Sequence, residues 1–484
     1  MLFPTITFAV FFLVVYVASW LLMPRLRVWK WAIVAFSYVF YGWWDWRMVL
    51  LLVAATLANQ ALAVRIWRAR GAAGRSAAGS PRAARLWLSV AVVVNLATLG
   101  YFKYAGFFAE NLNELLGLFR LGAPLPLLRV VLPIGISFLV FRMLTYVIDV
   151  YRGELRPAPT LDFGVYVAFF PYLLAGPIAR ARDFLPQLTS PRDPRTVDAG
   201  QAFFLILTGL AKKVVVADFL ATHLVNGVFA SPQQYSAWET LVGIVAYSVQ
   251  IYCDFSGYTD IAIGVSLLLG FRLPQNFDAP YTATSVRDFW RRWHMTLSGW
   301  LRDYLYIPLG GNRKGPRRTA VNILLTMLLG GLWHGAAWTF VFWGGLHGAA
   351  QVWEHGRARA RRAAGAPEPG ATRGARALRR LAVFAFVTLA WVFFRAESMS
   401  AAFAVLWRLV AGLGSLGDAV TPAVLGLTAL GIAIQYVPRG FLDRVQGGLA
   451  RVGWAGQAAV LAVGLFLVDT LGPSGTAEFL YFRF

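Results

Sequence analysis

Stretches of roughly 18 or more apolar residues recur along this chain from residue 2 to residue 471, each long enough to cross a hydrocarbon core of about 30 Å. No other feature restricts the fold as much, since a backbone placed in lipid must satisfy its own hydrogen bonds. Composition removes the alternative of two or three soluble domains. Of 484 residues, 58% are hydrophobic and 14% charged, whereas soluble domains carry about 45–50% and about 25%. So few charges cannot clothe that much apolar surface. The fold expected is an all-α polytopic membrane protein.

The single cysteine, Cys253, excludes a disulfide framework and cysteine-based metal centres. A formal net charge of +22 would suggest nucleic acid if it lay on one soluble face. Here the arginines concentrate in short loops between apolar runs, as positive-inside bias requires, and no nucleic-acid partner is expected. The segment from Met1 to Met23 lacks a charged start and a small-residue cleavage site, and so reads as a retained span.

Three basic loops set the orientation. They hold Arg25, Arg27 and Lys30; Arg68, Arg70, Arg75, Arg82 and Arg85; and the arginines of residues 355–380, broken near Pro367. Placed in the cytoplasm, they put the N-terminus outside and give spans near 2–23, 31–45, 49–67, 86–105 and 131–150. Residues 163–179 end in Ala-Gly-Pro between polar flanks and suit a re-entrant segment buried in protein. Spans are expected near 202–222 and 237–253, while 261–273 is short for a crossing. Three apolar pairs follow: 319–333 with 336–353, 379–396 with 401–413, and 421–438 with 452–471. Residues 472–484 are then extracytoplasmic. No internal repeat, P-loop, Rossmann fingerprint, G-x-S-x-G or H-E-x-x-H pattern appears.

Ionisable groups near apolar spans cost roughly 2.5–3.5 kcal/mol each at a helix centre, so they need a partner or a task. Two segments concentrate them: Tyr252 to Asp260, with Asp254 and Asp260, and Arg287 to Asp303, with Asp288, Arg291, Arg292 and His294. His334 interrupts a long apolar stretch, beside Gly335 and Ala336. Burial disfavours a charged imidazole, and a neutral one can take a proton from a hydroxyl nucleophile. The structural alternative is a core histidine bonded to a carbonyl. The five histidines show no i, i+4 pair, which argues against a metal site. Around His294 the tryptophans and arginines suit interfacial anchoring, or a cationic mouth that receives an anionic donor such as a phosphopantetheine thioester.

Several ordered pieces carry a family likeness. They include Leu-Pro-Ile-Gly-Ile-Ser-Phe (132–138), Leu-Ala-Gly-Pro-Ile-Ala-Arg (174–180), Gly-Leu-Ala-Lys-Lys-Val-Val-Val-Ala-Asp (209–218) and Tyr-Cys-Asp-Phe-Ser-Gly-Tyr-Thr-Asp (252–260). Asn-Phe-Asp-Ala-Pro-Tyr (276–281), Arg-Asp-Phe-Trp-Arg-Arg-Trp-His-Met-Thr-Leu-Ser (287–298), Tyr-Ile-Pro-Leu-Gly-Gly-Asn-Arg (306–313) and Gly-Leu-Trp-His-Gly-Ala (331–336) continue the set. In these the sequence resembles the membrane-bound O-acyltransferase superfamily, in particular its bacterial alginate O-acetyltransferase branch.

The resemblance implies one integral acyltransferase domain over 1–484, with a signature core near 130–355. It implies a ring of about eleven transmembrane helices, with re-entrant and interfacial helices around a central tunnel and funnel. His334 would be the catalytic histidine and His294 the second signature position. Arg291, Arg292, Asp288, Asp254 and Asp260 would line the donor mouth or support it. No metal or tightly bound cofactor is implied, the donor being an acyl thioester of coenzyme A or an acyl carrier protein. The group would pass across the bacterial inner membrane to an SGNH hydrolase-like partner and then to an exported polysaccharide such as alginate. Phe479-Leu-Tyr481-Phe-Arg-Phe484 resembles a terminal aromatic motif of such systems, with Tyr481 a candidate acyl relay. The alternative for that motif is interfacial anchoring by aromatic rings. Rival classes are a transporter or lipid flippase, which would also place polar groups inside helices, and a scaffold that needs neither histidine.

Overall fold

The computed structural model describes residues 1–71, 80–121, 131–365, 372–414, 417–473 and 479–480. Among these, every regular element is helical. The expectations for Arg75, the Pro367 segment and Tyr481 lie outside the described residues. The chain forms two compact units, Met1–Ala199 with Val265–Pro274, and Gly200–Gly264 with Gln275–Phe484.

The first unit carries α1 (Ile6–Leu22), α2 (Leu26–Gly42), α3 (Arg47–Ala69), α4 (Pro81–Leu99), α5 (Ala105–Leu118), α6 (Ile136–Arg152), α7 (Thr160–Ala168), α8 (Phe170–Leu173) and α9 (Ala181–Phe184). The span expected at 86–105 is longer in the structure: a π turn at Gly100–Tyr104 joins α4 to α5, and the helix runs on to Leu118. Phe107, Phe108, Leu112 and Leu115 extend its apolar face past Glu110 and Glu114. Residues 163–179 do not form a spanning helix. They break after α7 and again after α8, and all of them are buried. Non-helical backbone at that depth needs protein partners. The buried Arg142 donates to the Tyr172 and Leu173 carbonyls at 3.0 and 3.3 Å, and the Tyr166 hydroxyl donates to Ala179 O at 3.0 Å.

The second unit carries α10 (Ala199–Leu210), α11 (Asn226–Ala230), α12 (Ala237–Leu268), α13 (Val286–Trp290), α14 (Met295–Leu301), α15 (Gly315–His334), α16 (Trp338–Ala363), α17 (Arg373–Arg395), α18 (Met399–Ala411), α19 (Pro422–Ala433), α20 (Arg439–Arg451) and α21 (Trp454–Leu471), apart from the ends of α10 and α12. The segments expected separately at 237–253 and 261–273 are joined in α12, a single helix of 32 residues. The polar residues between them do not break it, because they find partners on the neighbouring helix.

Four described stretches are long and apolar enough to cross a bilayer: Arg47–Ala69, Pro81–Leu118, Arg373–Arg395 and Trp454–Leu471. Pro422–Tyr436 and Arg439–Arg451 together make a fifth, bent by 93°. Uninterrupted apolar helices are thus fewer than the expected eleven or so spans. The difference has a physical source. Runs such as α15 and α12 carry Gly, Asn, Thr, His or charge on faces that pack against protein, not lipid.

Candidate functional site

Two helix pairs of the second unit frame the site, and both rest on glycine. In α15 and α16, a Cβ on Gly331 would overlap the Phe340 carbonyl, and one on Gly344 would overlap the Met327 carbonyl. Only hydrogen at these positions lets the two backbones approach so closely. The hairpin between them is extended at Gly335 and Ala337, and a Cβ on Gly335 would overlap the Phe340 ring. His334 is the last residue of α15, placed at this break and buried. Its ring meets Trp333 at 4.9 Å, Trp343 edge-on at 5.2 Å and Phe394 at 5.2 Å.

His294 sits between α13 and α14, where the chain leaves helical geometry. Its φ of +43° is left-handed, an uncommon state for a residue with a Cβ, although histidine enters it more readily than most. Ala279, on the segment that pairs with it, is also left-handed at φ +46°. Two backbone bonds, Asp278 N–H to Arg292 O and Met295 N–H to Asn276 O, both 2.9 Å, join these segments. Surrounding structure must over-determine such backbone for it to persist. The buried His294 ring places Nδ1 3.1 Å from Asn276 Oδ1, and meets Phe255 edge-on at 4.8 Å and Trp333 at 6.1 Å. The Trp333 indole therefore touches both histidines, which sequence reasoning named from segments 40 residues apart (334 less 294).

The helix pair α10–α12 meets at Gly209 and Gly257, each of whose Cβ would lie 2.6–2.7 Å from the other's carbonyl. Beyond Gly209 the backbone widens into π turns over Ala211–Asp218 and Ala221–Val225. There Lys213 Nζ bridges Asp254 Oδ1 at 2.6 Å and Asp218 Oδ1 at 2.7 Å, and Lys212 pairs with Asp260. Asp254 and Asp260 thus hold helices together. The second oxygen of Asp254 accepts the Leu480 N–H at 3.0 Å. Phe479, just before it, stacks on Tyr258 at 4.4 Å and lies 5.8 Å from Phe255.

The expected cationic mouth divides. Arg292 donates to Asp288 Oδ1 at 3.0 Å, and Asp288 also accepts the Thr284 N–H at 3.2 Å, so both act as local braces. Arg291 is exposed. Glu354 of α16 accepts the Val286 and Arg287 N–H groups at 2.7 and 3.1 Å and so seats α13.

Sequence reasoning gave no role to three residues here. His347 is wholly buried among Phe289, Trp343 and Phe386, and its Nδ1 accepts the Trp290 indole N–H at 3.2 Å. Like His334 it interrupts an apolar run, and that signal was available. Asn276 and Lys213 lie inside those motifs, but His294 lies 18 positions from Asn276 and Asp254 lies 41 from Lys213, whose other partner Asp218 is only five away.

The model of the membrane-bound O-acyltransferase family matches residues 32–396. A probable alginate O-acetylase of Azotobacter vinelandii is 42% identical over 422 residues, covering 86% of this chain and 79% of the relative. A peptidoglycan O-acetyltransferase of Helicobacter pylori is 36% identical over 418 residues, 80% of this chain and 74% of that protein. A teichoic acid D-alanyltransferase of Streptococcus thermophilus is 32% identical over 238 residues, covering 45% and 56%.

Proposed function

Because the chain belongs to the membrane-bound O-acyltransferase family, and is therefore a multi-pass membrane acyltransferase, we propose that it carries an acetyl group from a cytoplasmic thioester towards an exported polysaccharide. Alginate is the acceptor favoured by the names of its 42–44% identical relatives. The single observation that supports the site is the pair His334 and His294, both buried and both against the Trp333 ring.

The chemistry suits a thioester. An acceptor hydroxyl gives its proton to the His334 imidazole, and its oxygen bonds to the thioester carbonyl carbon. The carbon–sulfur bond then breaks, and the leaving thiolate takes the proton back. The donor, an acyl-coenzyme A or acyl carrier protein, remains in the cytoplasm, and only the acyl group crosses. The frame we propose is the ring of about eleven helices in the inner membrane, with both the N-terminus and residues 472–484 outside. An SGNH hydrolase-like partner there receives the group and esterifies the polymer.

The test is direct. Purified His334→Ala inserted in membranes should release no free thiol from acetyl-coenzyme A and leave the polymer unacetylated. Thiol release at the unmodified rate overturns the assignment.

A second step is supported by Phe479 and Leu480, which Asp254 and Tyr258 hold beside Phe255, itself against His294. We propose that Tyr481, the next residue, receives the acyl group as an ester before the partner does. Mass spectrometry of the tail peptide should find an acetyl adduct that Tyr481→Phe lacks. Normal acetylation by that variant ends the relay.

A further inference from the structure

Asn276 Oδ1 receives three groups: the Thr296 N–H at 3.3 Å, the Thr296 hydroxyl at 2.9 Å and His294 Nδ1 at 3.1 Å. A backbone N–H can only donate, so the atom facing Thr296 must be the amide oxygen and not its nitrogen. An oxygen that acts as acceptor there can hold His294 Nδ1 only if that nitrogen carries hydrogen. We infer that Asn276 is a positioning residue that fixes His294 in its Nδ1–H tautomer, so that Nε2 is the nitrogen able to accept a proton in acyl transfer. The role in transfer rests on the function proposed above; the tautomer does not.

The surroundings make this hold rigid. Asn276 and His294 are both buried, with 1% and 0% of their surface exposed. The left-handed backbone at His294 and Ala279 and the two backbone bonds between the segments fix where the His294 side chain leaves the chain, and the Asn276 bond and the Phe255 ring hold the imidazole there. His347 provides an internal contrast. The Trp290 indole donates to its Nδ1, so a neutral His347 must carry its hydrogen on Nε2. Two buried histidines of one unit are therefore held in opposite tautomers.

Nuclear magnetic resonance of the full chain in detergent, with nitrogen-15 in its five histidines, reads this directly. The His294 signal, identified by its loss in His294→Gln, should show hydrogen on Nδ1, and that of His347 hydrogen on Nε2. An Nε2–H signature at His294 overturns the inference whatever the activity. Asn276→Leu removes the acceptor; it should abolish the Nδ1–H signature and slow transfer roughly 10–100-fold. Asn276→Asp keeps the accepting oxygen and should keep both signature and most activity. A signature unchanged in Asn276→Leu also overturns it. If His294 shows Nδ1–H while His294→Gln transfers acyl groups normally, the tautomer stands and the functional reading of His294 falls.

Discussion

The two helix pairs of the second unit solve the same packing problem by unlike means. Both use glycine to bring backbones within the reach of carbonyl oxygen: Gly209 with Gly257 in α10–α12, and Gly331 with Gly344 in α15–α16. At the first pair, the space beside the crossing is filled by buried charge, with Lys213 between Asp254 and Asp218. At the second it is filled by rings, with His334 against Trp333, Trp343 and Phe394. A buried ion cluster fixes geometry, since each charge is stable there only while its partner stays. An imidazole among rings is instead placed by ring contacts. On the function proposed above, the first pair holds and the second reacts, and substitutions should separate the two.

The largest effect on transfer should come from His334→Ala. If His334 is the general base proposed above, its removal costs roughly 10²–10⁴-fold in rate, while the hairpin, held by glycine contacts at Gly331 and Gly344, should still form. Turnover measured beside thermal unfolding in detergent checks both parts. An equal loss of stability and activity would erase the distinction between the pairs.

Lys213→Met should do the opposite. It leaves Asp254 and Asp218 buried without their shared cation, and breaking a buried pair costs roughly 3–5 kcal/mol. The expected result is a clearly lowered unfolding midpoint, with Leu480 losing its well-placed acceptor on Asp254. Replacing Lys213 and both aspartates together by apolar residues should recover much of that stability, because the uncompensated charge is gone.

How far these roles were legible beforehand follows the same division. The α15–α16 hairpin was readable because its signals are local: an apolar run, Gly-Gly, then His-Gly-Ala, with the expected break between 333 and 336 beside the observed end at His334. The α12 helix was not. Asp254 and Asp260 looked like an interruption, since their partners Lys213 and Lys212 lie 41 and 48 residues earlier and only folding brings them together. His294 was visible through its motif, but the Asn276 hold on it was hidden for the same reason, as was the Trp290 bond to His347 across 57 residues.

Gly344→Ala should give an intermediate effect. The new methyl overlaps the Met327 carbonyl, and overpacking of a close contact costs about 1–3 kcal/mol. Because that contact lies in the hairpin that carries His334, the unfolding midpoint and the turnover should fall together. This is the one substitution in which the reacting pair behaves like the holding pair.

The smallest effect on stability should come from Arg291→Ala. Arg291 is exposed, and surface changes of this kind stay within about 0.5 kcal/mol. Its neighbour Arg292, bonded to Asp288 at 3.0 Å, belongs to the holding group and should cost up to about 1 kcal/mol when truncated. The pair therefore carries the main comparison to the site's edge. If Arg291 meets an anionic donor, its loss raises the KM for that donor most at low salt and flattens the salt dependence of KM, while the unfolding midpoint stays fixed. Arg292→Ala should shift the midpoint and leave the salt dependence of KM unchanged. Identical responses from the two variants would mean that the arginines share one role, and the boundary between holding and reacting would then lie deeper, at His294.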